Sequence, residues 1–253
     1  MNFKEWHKKE SPLLIANVWD VASAKVAERL NFDAIATSSG AIATMLGYAD
    51  GEEISFRELK YVVERIVKNV HLPLSVDLEA GYGSTAEEIL PNINVLIELG
   101  VVGINLEDSK VSQGQRSLMD YHIFSGVLKD ITSQLKLDRR EVFINVRTDT
   151  FLKGLDNALG ETLVRAEAYQ KAGGNGLFVS CIEKEHDIEK VCKATDLPIN
   201  VMCMPNLPNF DTLNELGVKR ISMGNFVFEH MDKVLETTLT EVMSYQSFRT
   251  LFS

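Results

Sequence analysis

LSVDLEAGYG, residues 74–83, carries an apolar run into two carboxylates and then stops. Leu74, Ser75, Val76 and Leu78 read as a buried strand, interrupted by Asp77 and followed by Glu79. A strand turns alternate side chains to one face, so Asp77 and Glu79 are expected to point the same way. Like charges placed so close repel unless a cation or a shared proton settles them. After Glu79 the apolar pattern ends at Ala80-Gly81-Tyr82-Gly83.

Outward from this stretch the same kind of run recurs. LLIANV (13–18), AIATSS (34–39), PLSVDLE (73–79), VGINLED (102–108), FINVRTD (143–149), GLFVSCI (176–182), PINVMCM (198–204) and RISMGNF (220–226) make eight. Most are nearly continuous in apolar residues, as expected of parallel strands covered on both faces. Helical spacing fills the gaps. Over 55–70, Leu59, Val62, Val63, Ile66 and Val70 share one face. Thr85 with Glu88 reads as a capping box, Pro91 as a kink or late start, and Gly100 as a helix stop. Further helices are expected over 157–173, 184–195 and 209–217, and the stretch from 226 to 252 reads as one helix or two. Eight strand-helix units in 253 residues predict a (β/α)8 TIM-type barrel, one domain over 1–253. An open doubly wound sheet loses support because no GxGxxG follows the first strand.

A formal net charge of −10 argues against a nucleic-acid partner. No apolar run is long enough to span a bilayer, and the opening MNFKEWHKKE lacks a signal peptide's apolar core. Cys181, Cys192 and Cys203 show no metal spacing and read as packed thiols in a reducing cytoplasm. His7, His71, His186 and His230 read as surface or helix-end positions, and His122 opens a helix.

In such barrels chemistry sits on the loops after the strands, and the polar residues concentrate there. Asn17 and Asp20 follow the first strand; Asp20 reads equally as a helix cap. Ser38, Ser39 and Gly40, then Asp50, follow the second, and the serine-glycine run offers backbone N–H groups to an anion. Asp77 and Glu79 end the third strand, Glu107 and Asp108 the fourth, Arg147 and Asp149 the fifth. Glu107 and Asp108 are neighbours, so at most one points inward. Buried carboxylates are costly unless paired or on a metal, and three strand ends supplying acids suggest a hard divalent cation such as Mg²⁺. On that reading Asp77 and Glu79 are held together by the metal, directly or through waters. Arg147 suits a carboxylate or phosphonate end of a substrate, or pairs with Asp77 or Glu107. Asn200, Asn206 and Glu183 are placed to reach the same rim.

At these residues the sequence resembles the isocitrate lyase / phosphoenolpyruvate mutase superfamily. NVWDVASAKVAERLNFDAIATSSGAIATMLGYADG, SVDLEAGYG, INLEDS, NVRTD and RAEAYQKAGGNGLFV carry the likeness, in order, over nearly the whole chain. The resemblance implies a (β/α)8 barrel, a homodimer or homotetramer, and a last helix swapped between neighbours. It implies Mg²⁺ at Asp77, Glu79 and Glu107, with Asp50 nearby. Ser38, Ser39 and Gly40 would hold the substrate's carboxylate and Arg147 its oxygens, with Arg147, Glu107 and Asp50 as catalytic candidates. The shared chemistry makes or breaks a bond beside a pyruvate-like unit through an enolate or oxyanion held on the metal.

Two departures stand out. Glu79 replaces the family's usual aspartate. The loop EDSKVSQGQRSLMD (107–120) lacks the Lys-Lys/Arg-Cys-Gly-His segment of the carbon–carbon lyases and the Asn-containing gating loop of the mutases. Lys110, Gln113, Gln115 and Arg116 are the polar groups it offers; Lys110 or Arg116 is expected to contact substrate, unless the loop is merely solvated. The expected activity is a Mg²⁺-dependent lyase or decarboxylase acting on a small 2-oxo or 2-hydroxy dicarboxylate. The alternatives are a phosphonopyruvate hydrolase or phosphonomutase, and a non-catalytic homologue that keeps only metal or ligand binding.

Overall fold

Each of the eight apolar runs forms a strand, and the eight close into one parallel barrel. In the computed structural model, which describes residues 3–252, they are β1 (Leu13–Val18), β2 (Ala34–Thr37), β3 (Leu74–Asp77), β4 (Gly103–Glu107), β7 (Phe143–Thr148), β8 (Gly176–Val179), β9 (Ile199–Met202) and β10 (Arg220–Ser222). Met1, Asn2 and Ser253, the ends of the expected 1–253 domain, lie outside the described residues. Between β4 and β7 the segment read as a loop folds as an antiparallel hairpin, β5 (Ser109–Ser112) and β6 (Gln115–Leu118). Its turn residues Gln113 and Gly114 both have positive φ, 51° and 72°, the backbone of a tight two-residue hairpin turn.

The helices are α1 (Phe3–Trp6), α2 (Val21–Arg29), α3 (Ser39–Leu46), α4 (Phe56–Val67), α5 (Ala86–Glu98), α6 (Tyr121–Leu137), α7 (Ala158–Lys171), α8 (Glu185–Ala194), α9 (Phe210–Glu215) and α10 (Phe226–Tyr245). In α4, Ser55 and Glu58 form a reciprocal cap and Leu59, Val62, Val63 and Ile66 are buried, as the spacing predicts. The expected Thr85 cap does not form; Glu88 accepts instead from the Ser84 N–H at 2.7 Å. Pro91 sits inside α5 without ending it. The C-terminal stretch is one 20-residue helix followed by a short 3-10 turn, Arg249–Phe252. Among the described residues no helix is long and apolar enough to cross a membrane.

Alternation along the strands divides two environments. Ile35, Val76, Ile104, Val146, Leu177, Val201 and Ile221 face outward into the main core shared with the helices. The inward positions form layers. Phe3 of α1 packs with Leu13, Ile15, Ala34, Ala36 and Phe143 and plugs the base. His7 is buried there, 3% exposed, and stacks on Phe143 at 4.0 Å, so its reading as a surface residue is corrected. Burial, then the charge of Arg220, lowers its pKa to about 3, which keeps the ring neutral. Above the plug the interior turns polar: Asn145 donates to Asn105 at 2.9 Å and to Asn200 at 3.0 Å. The thiols also depart from expectation, since Cys203 is exposed and Cys181 and Cys192 are only partly buried.

Candidate functional site

Charge collects at the mouth formed by the strand C-termini, above the asparagine layer. Asp77 ends β3 with its backbone N–H donating to Thr37 Oγ1 at 2.8 Å. Its Oδ2 accepts from Ser39 Oγ at 2.8 Å, while Oδ1 is buried with no protein partner. Ser38 caps α3 by accepting from the Ala41 N–H at 3.4 Å, and so turns Ser39 and Gly40 into the first helical turn beside Asp77. Asp50 lies against the same turn, 3.5 Å from Ser39 Oγ. Asp20 is a cap: it accepts from the Ser23 N–H at 2.7 Å.

Glu79 does not share the strand face of Asp77. The strand stops at Asp77, and Glu79 takes a left-handed backbone, φ 52°, which breaks the period-two alternation the sequence suggests. Its carboxylate accepts from the Glu52 N–H at 2.8 Å, and Glu52 in turn accepts from the Tyr82 N–H at 2.8 Å. Burial above all, then the charges of Asp77, Asp50, Glu107 and Glu52, raise the Glu79 pKa to about 9. Near neutral pH Glu79 therefore keeps a proton unless a cation offsets those charges.

Glu107 and Asp108 face opposite ways, as alternation requires. Asp108 points outward and is tied to Tyr169 at 2.7 Å, Thr148 at 2.7 Å and Arg165 at 3.1 Å. Glu107 points to the mouth beneath two guanidinium groups. Arg147 Nη1 lies 3.0 Å from Glu107 Oε2, and Arg147 Nε and Nη2 donate to Asp149 at 2.7 and 3.2 Å. Arg116, on the hairpin, contacts Glu107 Oε1 and lies 3.1 Å from both Asp149 and Asp50. Burial raises the Glu107 pKa to about 7 against the opposing field of Arg147. For Asp149, burial works upward but the charge and hydrogen bonds of Arg147 prevail and hold the carboxyl below its ordinary range.

A cavity of about 330 Å³ opens among these groups. Ser38, Ser39, Gly40, Asp50, Asp77 and Arg147 line it; Glu79 and Glu107, expected at the metal with Asp77, are not among its lining residues. Asn200 belongs to the interior ladder, and Asn206 and Glu183 bond each other outside the cavity. Lys110 is turned away, donating to Gly83 O at 3.2 Å and Ser84 Oγ at 2.7 Å. Arg220 was not foreseen. It is 1% exposed, lines the cavity, and has Nε and Nη1 without partners. Burial lowers its pKa to about 10, against the attraction of Asp77. Its signal in the sequence is a charged residue opening an otherwise buried strand.

Among the described residues no three acids, histidines or cysteines converge as a ready-made cation cage. The donor set is nonetheless all hard oxygen, with one orphaned carboxylate atom on Asp77. A small divalent cation that keeps several waters fits such a set, and Asp77 would hold it, with Asp50 beside it on the cavity wall.

A family model for phosphoenolpyruvate phosphomutase matches residues 3–243. The chain belongs to this family. A solved structure from Burkholderia cenocepacia, provisionally assigned as a phosphonomutase, is 36% identical with a TM-score of 0.87, over 94% of this chain and 97% of that one. An oxaloacetate decarboxylase of Rhodopseudomonas palustris is 29% identical over 234 residues, 90% of this chain and 79% of its own. A 2-methylisocitrate lyase of Escherichia coli is 27% identical over 238 residues, with the same coverage, 90% and 79%. The phosphoenolpyruvate phosphomutase family thus joins this barrel to lyases and mutases and leaves the substrate open.

Proposed function

We propose that this family member is a Mg²⁺-dependent lyase or decarboxylase of a small 2-oxo or 2-hydroxy dicarboxylate. One observation supports this reading above the others: an orphaned Asp77 oxygen, the first turn of α3 and three guanidinium groups, those of Arg116, Arg147 and Arg220, surround one small cavity. Bound at Asp77, Mg²⁺ would polarise the 2-oxo group and stabilise the negative charge that develops on its oxygen. The Ser39 and Gly40 N–H groups at the start of α3 receive the adjoining carboxylate, favoured by the helix dipole. Arg147, fixed by Glu107 and Asp149, presents a stationary positive charge to the reacting end. The hairpin carries no cysteine or histidine to serve as acid or base, so cleavage in which water supplies the final proton suits the site better than isocitrate-type chemistry. Phosphonate chemistry is the second reading, favoured by the 36% identity to the Burkholderia protein.

Substrate loss and pyruvate release in Mg²⁺, followed for oxaloacetate, dimethylmalate, 2-methylisocitrate and phosphonopyruvate, separate these readings. Turnover of oxaloacetate or dimethylmalate supports the first, and turnover of phosphonopyruvate alone replaces it with the second. Asp77→Asn is expected to abolish Mg²⁺ binding in calorimetry; unchanged binding would remove Asp77 from the metal site. The same reading includes a cytoplasmic protein that assembles through α10. That helix buries none of its residues within the chain and exposes Met231, Val234, Leu235 and Leu239. Sedimentation is expected to show a dimer or tetramer, and a monomer would end the swapped-helix proposal.

A further inference from the structure

Arg147 is held between buried partners, hydrogen-bonded to Asp149 through Nε and Nη2 and ion-paired with Glu107 through Nη1. Its fork is already engaged by Glu107 and Asp149, whose side chains are 3% and 0% exposed. Arg116 is engaged by buried groups at one end only. Its Nη1 meets Glu107, Asp149 and Ser109 Oγ, the last at 2.8 Å. Its Nη2 meets only Asp50, at 3.1 Å, and the Asp50 side chain is 49% exposed. A contact to a half-exposed carboxylate is weak and exchangeable, whereas contacts to buried ones are costly to break.

The hairpin holds Arg116 at this place. Val111 packs so closely on Gly51 that a Cβ there would lie 2.4 Å away. Lys110 ties β5 to the loop after β3, and Lys153 Nζ donates to the Arg116 carbonyl at 2.5 Å. Arg116 therefore lines the cavity, with Asp50 standing between its Nη2 and the first turn of α3.

We infer that Arg116 selects doubly charged substrates: its Nη2 edge releases Asp50 and takes the distal carboxylate of the bound acid. The inference rests on the carboxylate site proposed above and adds which residue reads the far end of the substrate. A guanidinium meets a carboxylate through two parallel donors, which an ammonium cannot reproduce. A lysine at 116 should therefore restore charge without restoring the full preference.

Malate and lactate test this directly, because they share a 2-hydroxy acid end and differ in the distal carboxylate. Calorimetry in Mg²⁺ on the wild type, Arg116→Lys and Arg116→Met gives the ratio of the two affinities. The wild type is expected to prefer malate by about tenfold or more, the scale of one charge-assisted bidentate contact. The ratio should fall close to one in Arg116→Met and to an intermediate value in Arg116→Lys. A ratio the same in all three proteins, with melting curves showing them folded, overturns the role of Arg116 and leaves the carboxylate site standing. Binding of neither acid by the wild type overturns both. Should Arg116→Met not fold, the Lys variant decides: full wild-type preference there also overturns the inference.

Discussion

Arg147 and Arg116 bring the same guanidinium to one cavity by different routes. Arg147 rises from β7, its neighbours β4 and β8 hold its register, and its partners are almost fully buried. Arg116 comes from an appended hairpin, and the outer end of its fork rests on a half-exposed acid. Their side chains are similarly covered, 13% and 15% exposed, so exposure alone would not separate them. The partners do. A guanidinium saturated by buried carboxylates holds the architecture and sets a fixed field; one with an exchangeable end is available to a ligand.

Removing each group should show this difference in stability. Arg147→Met leaves Glu107 and Asp149 with one cation fewer in a buried site and is expected to cost about 3–5 kcal/mol. Arg116→Met also takes one cation from Glu107 and Asp149, but it leaves them the two-nitrogen contact of Arg147 and should cost less, about 1–2 kcal/mol. Urea melts measure both, and equal losses would break the distinction.

A smaller effect separates Glu107, which both arginines serve, from Glu79, which contacts neither. The Glu79 pKa is raised, so the folded chain holds that proton more tightly than the unfolded chain. The associated stability is complete below the ordinary carboxyl value of 4.5 and is lost as pH rises toward about 9. Glu107 adds in the same direction up to about 7. Without metal, the melting temperature should fall between about pH 5 and 9, and saturating Mg²⁺ should flatten the decline by replacing the proton as counter-charge. A metal-free protein that grows more stable over this range would contradict the placement of Glu79 among uncompensated acids.

The smallest expected change is local. Gly114 has φ 72° with open space around it, so Gly114→Ala strains only the backbone, by about 1 kcal/mol. Hydrogen exchange over 109–118 should quicken while global melting moves by only a few degrees. If the global transition moves as far as in Arg147→Met, the hairpin is part of the barrel's cooperative unit.

The barrel was legible because both-face burial leaves a direct mark, eight apolar runs at regular spacing. Part of the cavity lining was legible too, since Ser38 to Gly40, Asp50, Asp77 and Arg147 lie at the strand C-termini or in the loops beyond them. Three features were not. Glu79 was placed by alternation, and alternation fails where one residue turns left-handed. The hairpin was hidden because Gln113-Gly114 is a weak turn signal between short polar runs, so ladder formation could not be told from solvation. Arg220 was passed over because a single arginine at a strand start is ordinarily a surface residue; here it opens inward, into an interior that is polar rather than aliphatic.

The antiparallel ladder of Ser109–Ser112 with Gln115–Leu118 is closed on itself and shares no pairing with the barrel strands. Its length and side chains can drift through evolution without shifting the register of any strand beneath it. A change of side chains at the mouth can thus be made in this segment without re-pairing any barrel strand. The kinship of decarboxylases, lyases and mutases on this barrel is what such an uncoupled segment would leave behind.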